Sequence, residues 1–177
     1  MKKLLLLLIA VLLFAFVHEG LHALAASYYG ELAAFHVRPY GLEVVFKTPV
    51  PQRQGVRWAV ISGLPNLVTL LIGYLLFAGR SSLASLSNSF LRSLAYFATL
   101  LFLLLDPFNL AIIPFLFGGD INGIVAGAGL PRLLLQGIAF LVLLLNRELV
   151  ARRLLPAYGV VSAHPLFKPW FNRPHAS

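Results

Sequence analysis

The chain contains no cysteine, and that absence removes disulfides, thiolate metal sites and cysteine nucleophiles together. It is also poor in charge: 11% of its 177 residues are charged, against about 25% in a typical soluble domain. Acids number only six. With 59% hydrophobic residues and a mean hydropathy of +0.86, too little polar surface remains to coat a water-soluble globule. The composition therefore predicts one polytopic membrane domain. A net charge of +8 would suggest nucleic acid in a soluble protein. Here the basic residues flank apolar runs, so the expected partner is the lipid bilayer and its anionic headgroups, not nucleic acid. Low-complexity tails and internal repeats are missing too.

What the chain does have is long apolar stretches. They run from about Leu4 to Ala26, Trp58 to Phe77, Phe90 to Phe117, and Leu133 to Leu145 with continuation past Asn146. A span needs roughly 20 apolar residues. The third stretch carries Pro107 and Pro114 beside Asp106 and Asn109, which predicts irregular helix there. Between the first two stretches, strand formers at 35–38 and 42–47 flank Pro39-Tyr40-Gly41, a hairpin pattern. The predicted fold is all-α integral membrane, with about four transmembrane helices and a short β-hairpin between helices 1 and 2. Residues 1–155 form the membrane domain, placed in the cell membrane. Residues 156–177 form a polar, proline-containing tail with little regular structure. An alternative reading of the first stretch is a secretory signal peptide, from Lys2, Lys3, the leucine run and Ala23-Leu24-Ala25.

Inside that first stretch lies His18-Glu19-Gly20-Leu21-His22, an H-E-x-x-H pattern. Residues four apart share a helix face, about 6 Å apart along the axis, so two imidazoles can meet one zinc ion. Zinc lowers the pKa of a bound water, and Glu19 is placed to take its proton as general base. Five His and four Glu in a chain of this length give such a motif by chance about 0.3% of the time. Ionisable residues at this depth default to function. The competing role is a hydrogen-bonded cluster that stabilises helix packing.

A catalytic zinc takes three protein ligands. Without cysteine, the third is another His, Asp or Glu. Span two leads away from the His18–His22 face and span three leads back, so Asp120 at the end of span three is the first choice. Asp106 is the second choice, being roughly 21 Å earlier along an ideal helix. Glu148 pairs with Arg152 at i+4. Glu31 and Glu43 read as exposed loop charges, and His36 as a hairpin residue. His164 and His175 in the tail show no metal pattern.

At these residues the chain resembles the intramembrane site-2 protease class, and more closely the small zincin peptidases of membranes, whose activity is largely inferred. His18 to Leu24 is similar to the zinc helix of that class. Ser62-Gly63-Leu64-Pro65-Asn66 is similar to its Gly-Pro-x-x-Asn segment, in a different order. Asn109 to Asp120 resembles the Asn/Pro-rich stretch that ends in the Asp ligand, with Gly-Gly-Asp-Ile in place of Leu-Asp-Gly. The likeness covers about residues 4–123. It implies a zinc metalloendopeptidase that hydrolyses a membrane protein or membrane peptide, in or beside the bilayer. It also implies Asn66 and Asn109 as substrate-binding residues; interhelical hydrogen bonding is their alternative role.

A non-proteolytic metal-binding membrane protein, a carrier or sensor, is the alternative function. With the N-terminus inside, nine basic residues lie inside and five outside, which places the motif near the outer face. The family likeness implies the cytosolic face instead.

Overall fold

The structure, a computed structural model, describes residues 2–39 and 41–170. Four of its helical segments are long and apolar enough to cross a membrane: 3–28, 56–78, 89–115 and 132–157.

Helix α1 (Lys2–Tyr28) contains no proline and carries the His motif in its last third. It stops at Gly30, whose φ of 71° suits a residue without Cβ. There the Gly30 N–H donates to Ser27 O at 3.1 Å and the Glu31 N–H to Ala26 O at 2.8 Å. This pair of bonds is a Schellman motif, and it turns the chain directly into the hairpin.

Strands β1 (Leu32–Arg38) and β2 (Gly41–Phe46) pair antiparallel, with Phe35 opposite Val44 and His36 opposite Glu43. An Arg38–Glu43 ion pair at 2.9 Å spans the exposed end. The other end packs on the bundle. Phe46 meets Trp58 edge-on at 5.6 Å, and the Arg53 guanidinium lies 4.8 Å from the Phe46 ring and 4.4 Å from the Trp58 ring. Glu31 departs from its sequence reading as an exposed loop charge: it is buried, accepting from the Thr48 hydroxyl at 2.7 Å and pairing with Arg57 at 3.3 Å. The Schellman turn folds it beneath the hairpin, where a carboxylate needs such partners.

Helix α2 (Val56–Ala78) follows, then the short α3 (Arg80–Ala84) and α4 (Ser89–Ala111). Asn88 caps α4 by accepting from the N–H groups of Phe90 and Leu91. Helix α4 is central, packing against α1, α2 and α6. Gly73 of α2 makes the close approach possible, because a Cβ there would sit 2.8 Å from the Phe102 backbone.

The third stretch breaks later than its first proline. Pro107 lies within α4, and the helix ends only at Ala111. A 3-10 turn (Ile113–Phe115) and Gly118-Gly119 then redirect the chain into α5 (Asp120–Ala128). Gly119 has φ 77°, a conformation a side chain would strain. Helix α5 packs on α2 through Gly123 and Gly127, spaced four apart: an added Cβ would collide with Ser62 in one case and Ala59 in the other.

Helix α6 (Arg132–Leu149) runs past Asn146 and continues as a π turn (Val150–Leu154) into α7 (Leu155–Ala157). Glu148 meets Arg152 at 3.1 Å, as the i+4 spacing predicts. The tail as far as Trp170 folds back on this end of the bundle. Arg147 donates to the carbonyls of Pro165, Leu166 and Lys168 and lies 4.2 Å from the Trp170 ring centre. His175 lies outside the described residues.

Prolines inside helices explain two of the tightest joints. A proline has no N–H, so the carbonyl four residues earlier loses its helical donor. Pro65 frees Ile61 O, and Pro107 frees Leu103 O. Side chains from other helices take both: His22 Nδ1 reaches Ile61 O at 2.8 Å, and Asn146 Nδ2 donates to Leu103 O at 2.7 Å.

Candidate metal centre

His18, His22 and Asp120 come together where α1, α2, α4 and α5 meet. The His18 and His22 Nε2 atoms are 3.2 Å apart. Asp120 Oδ2 lies 3.2 Å from His18 Nε2, and Oδ1 lies 3.1 Å from His22 Nε2. Ligands at about 2.0–2.1 Å around a tetrahedral zinc stand roughly 3.3 Å from one another. The carboxylate shows one oxygen to each ring, and one ligand atom from each of the three residues can be chosen within 4.8 Å of the others, a group that could hold a metal ion.

The far sides of the imidazoles set their chemistry. His22 Nδ1 sits against a carbonyl, which can only accept, so this nitrogen carries the proton. His18 Nδ1 faces Asp106 Oδ1 at 3.1 Å, a close ion-pair approach with imperfect hydrogen-bond alignment. A proton on each Nδ1 leaves both Nε2 lone pairs turned toward the Asp120 carboxylate. Three electron-rich groups converging on one point in a buried site repel unless a cation lies between them.

The supporting residues are themselves held. The buried Asp106 accepts from the Thr69 hydroxyl. Asn66 donates through Nδ2 to Asp120 Oδ2 and to Ser62 O, both at 2.9 Å. That pair of acceptors fixes which end of the amide is nitrogen. The Asn66 Oδ1 is then buried without a hydrogen-bond partner among the described residues.

No protein-family model, curated protein or solved structure matches the chain.

The remaining residues singled out in the sequence fall as follows. Glu19 follows His18 on α1, is half-buried, and lies near the Val44 backbone of β2. Asn109 lies beside Gly119, its Oδ1 3.9 Å from where a Cβ on that glycine would sit. Asp106 stands behind His18, on the opposite ring nitrogen from Asp120. Helical rise along the third stretch would keep the two acids far apart. The break after Ala111 turns the chain back, so both reach the same imidazole.

Sequence reasoning missed Thr69, the Ile61 carbonyl and Asn146. The signal for the latter two was available: a proline inside a helix marks the carbonyl four residues before it as an open acceptor. Asp106 gives a direct test of the support shell. Asp106→Asn removes the charge behind His18 and is expected to weaken zinc binding about 10–100-fold, read by competition with a chromophoric chelator. Unchanged affinity would remove Asp106 from this role.

Proposed function

We propose that this chain is an integral-membrane zinc endopeptidase that cuts a peptide bond in or beside the bilayer. The observation that carries the reading is the convergence of two imidazole Nε2 atoms and one carboxylate, with Ile61 O bonded to the His22 Nδ1 and the Asp106 carboxylate 3.1 Å from the His18 Nδ1, one residue away from Glu19. The membrane setting is supported by outward apolar stripes. Leu8, Leu12 and Phe16 on α1, and Leu67, Leu71 and Leu75 on α2, are all more than half exposed. In water such faces demand a covering partner, and lipid supplies one.

Zinc, when bound, supplies a Lewis acid and a water that ionises near neutral pH. The chain's own residues do the rest. His18 and His22 hold their tautomers through Asp106 and Ile61 O, and Asp120 is aimed by Asn66. Glu19 accepts the proton from the attacking water and passes it to the departing amine. Helical substrate must unwind before it can be cut. The β2 edge that does not pair with β1 is the place for an unwound segment to add as a further strand.

The deciding experiment is metal removal. Protein purified in detergent should hold one zinc per chain and cleave a membrane peptide. Treatment with a chelator should abolish cleavage, and stoichiometric zinc should restore it. Zinc held without any cleavage across a broad peptide screen points to a carrier or sensor. Absence of stoichiometric zinc removes both readings.

Val44 links the hairpin to the base. Val44→Pro deletes a backbone N–H of β2 beside Glu19. The substitution also disrupts the strand beside Glu19, so cleavage should fall more than zinc content does. Equal loss of both would indicate misfolding, and no loss of either would detach β2 from the chemistry.

A further inference from the structure

Side-chain contacts fix which helix ends lie together. Phe14 meets Phe102 and His18 meets Asp106, so α1 and α4 run the same way. Thr69 meets Asp106 and Gly73 lies against Phe102, so α2 runs against them. Asn146 donates to Leu103 O and Gln136 to Ala111 O, so α6 runs against α4 as well. The starts of α1 and α4, the end of α6 and the folded-back tail therefore share one end of the bundle. The hairpin and the metal centre lie toward the other.

The two ends hold their cations differently. At the hairpin end Arg38 pairs with Glu43 and Arg57 with Glu31, while Lys47 donates to Gly30 O, Arg53 to Thr48 O and Arg132 to Pro114 O. At the tail end Lys3, Arg92, Arg153 and Lys168 are exposed and meet no acid, carbonyl or ring among the described residues. The one acid of that end, Glu148, is taken by Arg147 and Arg152. Four exposed cations in one layer repel one another unless anions come from outside. Apolar surface adjoins them: Leu4, Leu5 and Leu8 follow Lys3 and are more than half exposed, and Phe90 and Leu91 beside Arg92 are exposed too. Cations at the rim of a lipid-facing surface sit at headgroup level, where the matching anion is a phospholipid phosphate.

We propose that the tail end is the cytosolic end, held there by anionic phospholipid headgroups on Lys3, Arg92, Arg153 and Lys168, and that the metal centre therefore lies in the opposite half of the bilayer. The cytosolic leaflet carries the negative surface potential that such cations seek. Asp106 is 14 residues beyond Arg92, roughly 21 Å along the helix against about 30 Å of hydrocarbon, so the metal centre lies past the midplane. The family likeness implies the reverse orientation. The inference rests on the membrane part of the functional reading and is independent of the endopeptidase part.

The lack of cysteine makes the test clean, since each single-cysteine variant carries one thiol. Val37→Cys probes the hairpin end and Val161→Cys the tail end, both at well-exposed positions. In sealed vesicles with the cytosolic face inside, a membrane-impermeant maleimide should label Val37→Cys at once and Val161→Cys only after the vesicles are opened. A second arm reads the lipid. Protein is reconstituted in phosphatidylcholine, and quenching of the exposed Trp170 by brominated phosphatidylglycerol is compared with quenching by brominated phosphatidylcholine. A cation at an anionic surface is worth about fivefold, so phosphatidylglycerol should be preferred at least about fivefold. Arg92→Gln, Arg153→Gln and Lys168→Gln combined should remove that preference.

Labelling of Val161→Cys in place of Val37→Cys, or of both alike, overturns the orientation. No lipid preference, a preference that survives the triple substitution, or one abolished by inorganic phosphate at equal concentration overturns the headgroup assignment. Release of the chain from vesicles by alkaline carbonate would sink the membrane reading itself. Neither arm uses cleavage, so failure of the endopeptidase reading is told apart from failure of this one.

Discussion

Glu19→Gln is expected to retain its zinc and lose cleavage by about 10²–10⁴-fold, the range that a positioned general base contributes. The substitution keeps size and shape but removes the proton acceptor. It also leaves the three metal-facing groups untouched, since Glu19 is not among them. The hairpin's packing through Phe46, Trp58 and Arg53 is untouched, so it should stay in place. The variant therefore separates base chemistry from metal binding and from folding. Zinc by elemental analysis and cleavage of a quenched membrane peptide are the two readouts. Wild-type activity in the glutamine variant would end the case for Glu19 as base. A parallel fall in zinc would show that Glu19 shapes the site instead of acting within it.

The sequence made the frame of this site readable because the signals are local. A four-residue spacing puts His18 and His22 on one face, and strand formers around a Pro-Gly turn give a hairpin, which extends over 32–46. Long apolar runs give the helices, and the up-and-down order of spans brings the start of α5 back to α1. What sequence could not show is which nitrogen meets which acid. Asp106 and Asp120 both contact His18, one on each ring nitrogen. Only the turn after Ala111 decides that. Its position depends on Gly118-Gly119, because Pro107 is absorbed within α4, where Asn146 satisfies the carbonyl it frees. Glu31 was equally hidden, since its burial follows from a Schellman turn and two partners distant in sequence. The same holds for Asn66. The sequence marks it only as an amide near a bundle cavity, while the described geometry gives it a hydrogen bond to Asp120.

Asp120→Ala is expected to weaken zinc binding by more than about 100-fold, beyond the 10–100-fold typical of residues that only support a ligand. The loss removes the one anionic group among the three that converge. What remains is two neutral nitrogens 3.2 Å apart, short of the three protein ligands a catalytic zinc takes. Asn66 keeps Ser62 O as a partner, so the supporting helix should hold and the bundle should fold. Comparison with Asp106→Asn and Asp106→Ala makes the test discriminating. If Asp120 is the ligand and Asp106 the support, zinc affinity falls most in Asp120→Ala, and cleavage by either Asp106 variant recovers when zinc is raised to saturation. Were the His18 ring turned over, its nitrogens would exchange partners and the order would invert. Full zinc affinity in Asp120→Ala would take Asp120 out of the coordination sphere and give its place to Asp106.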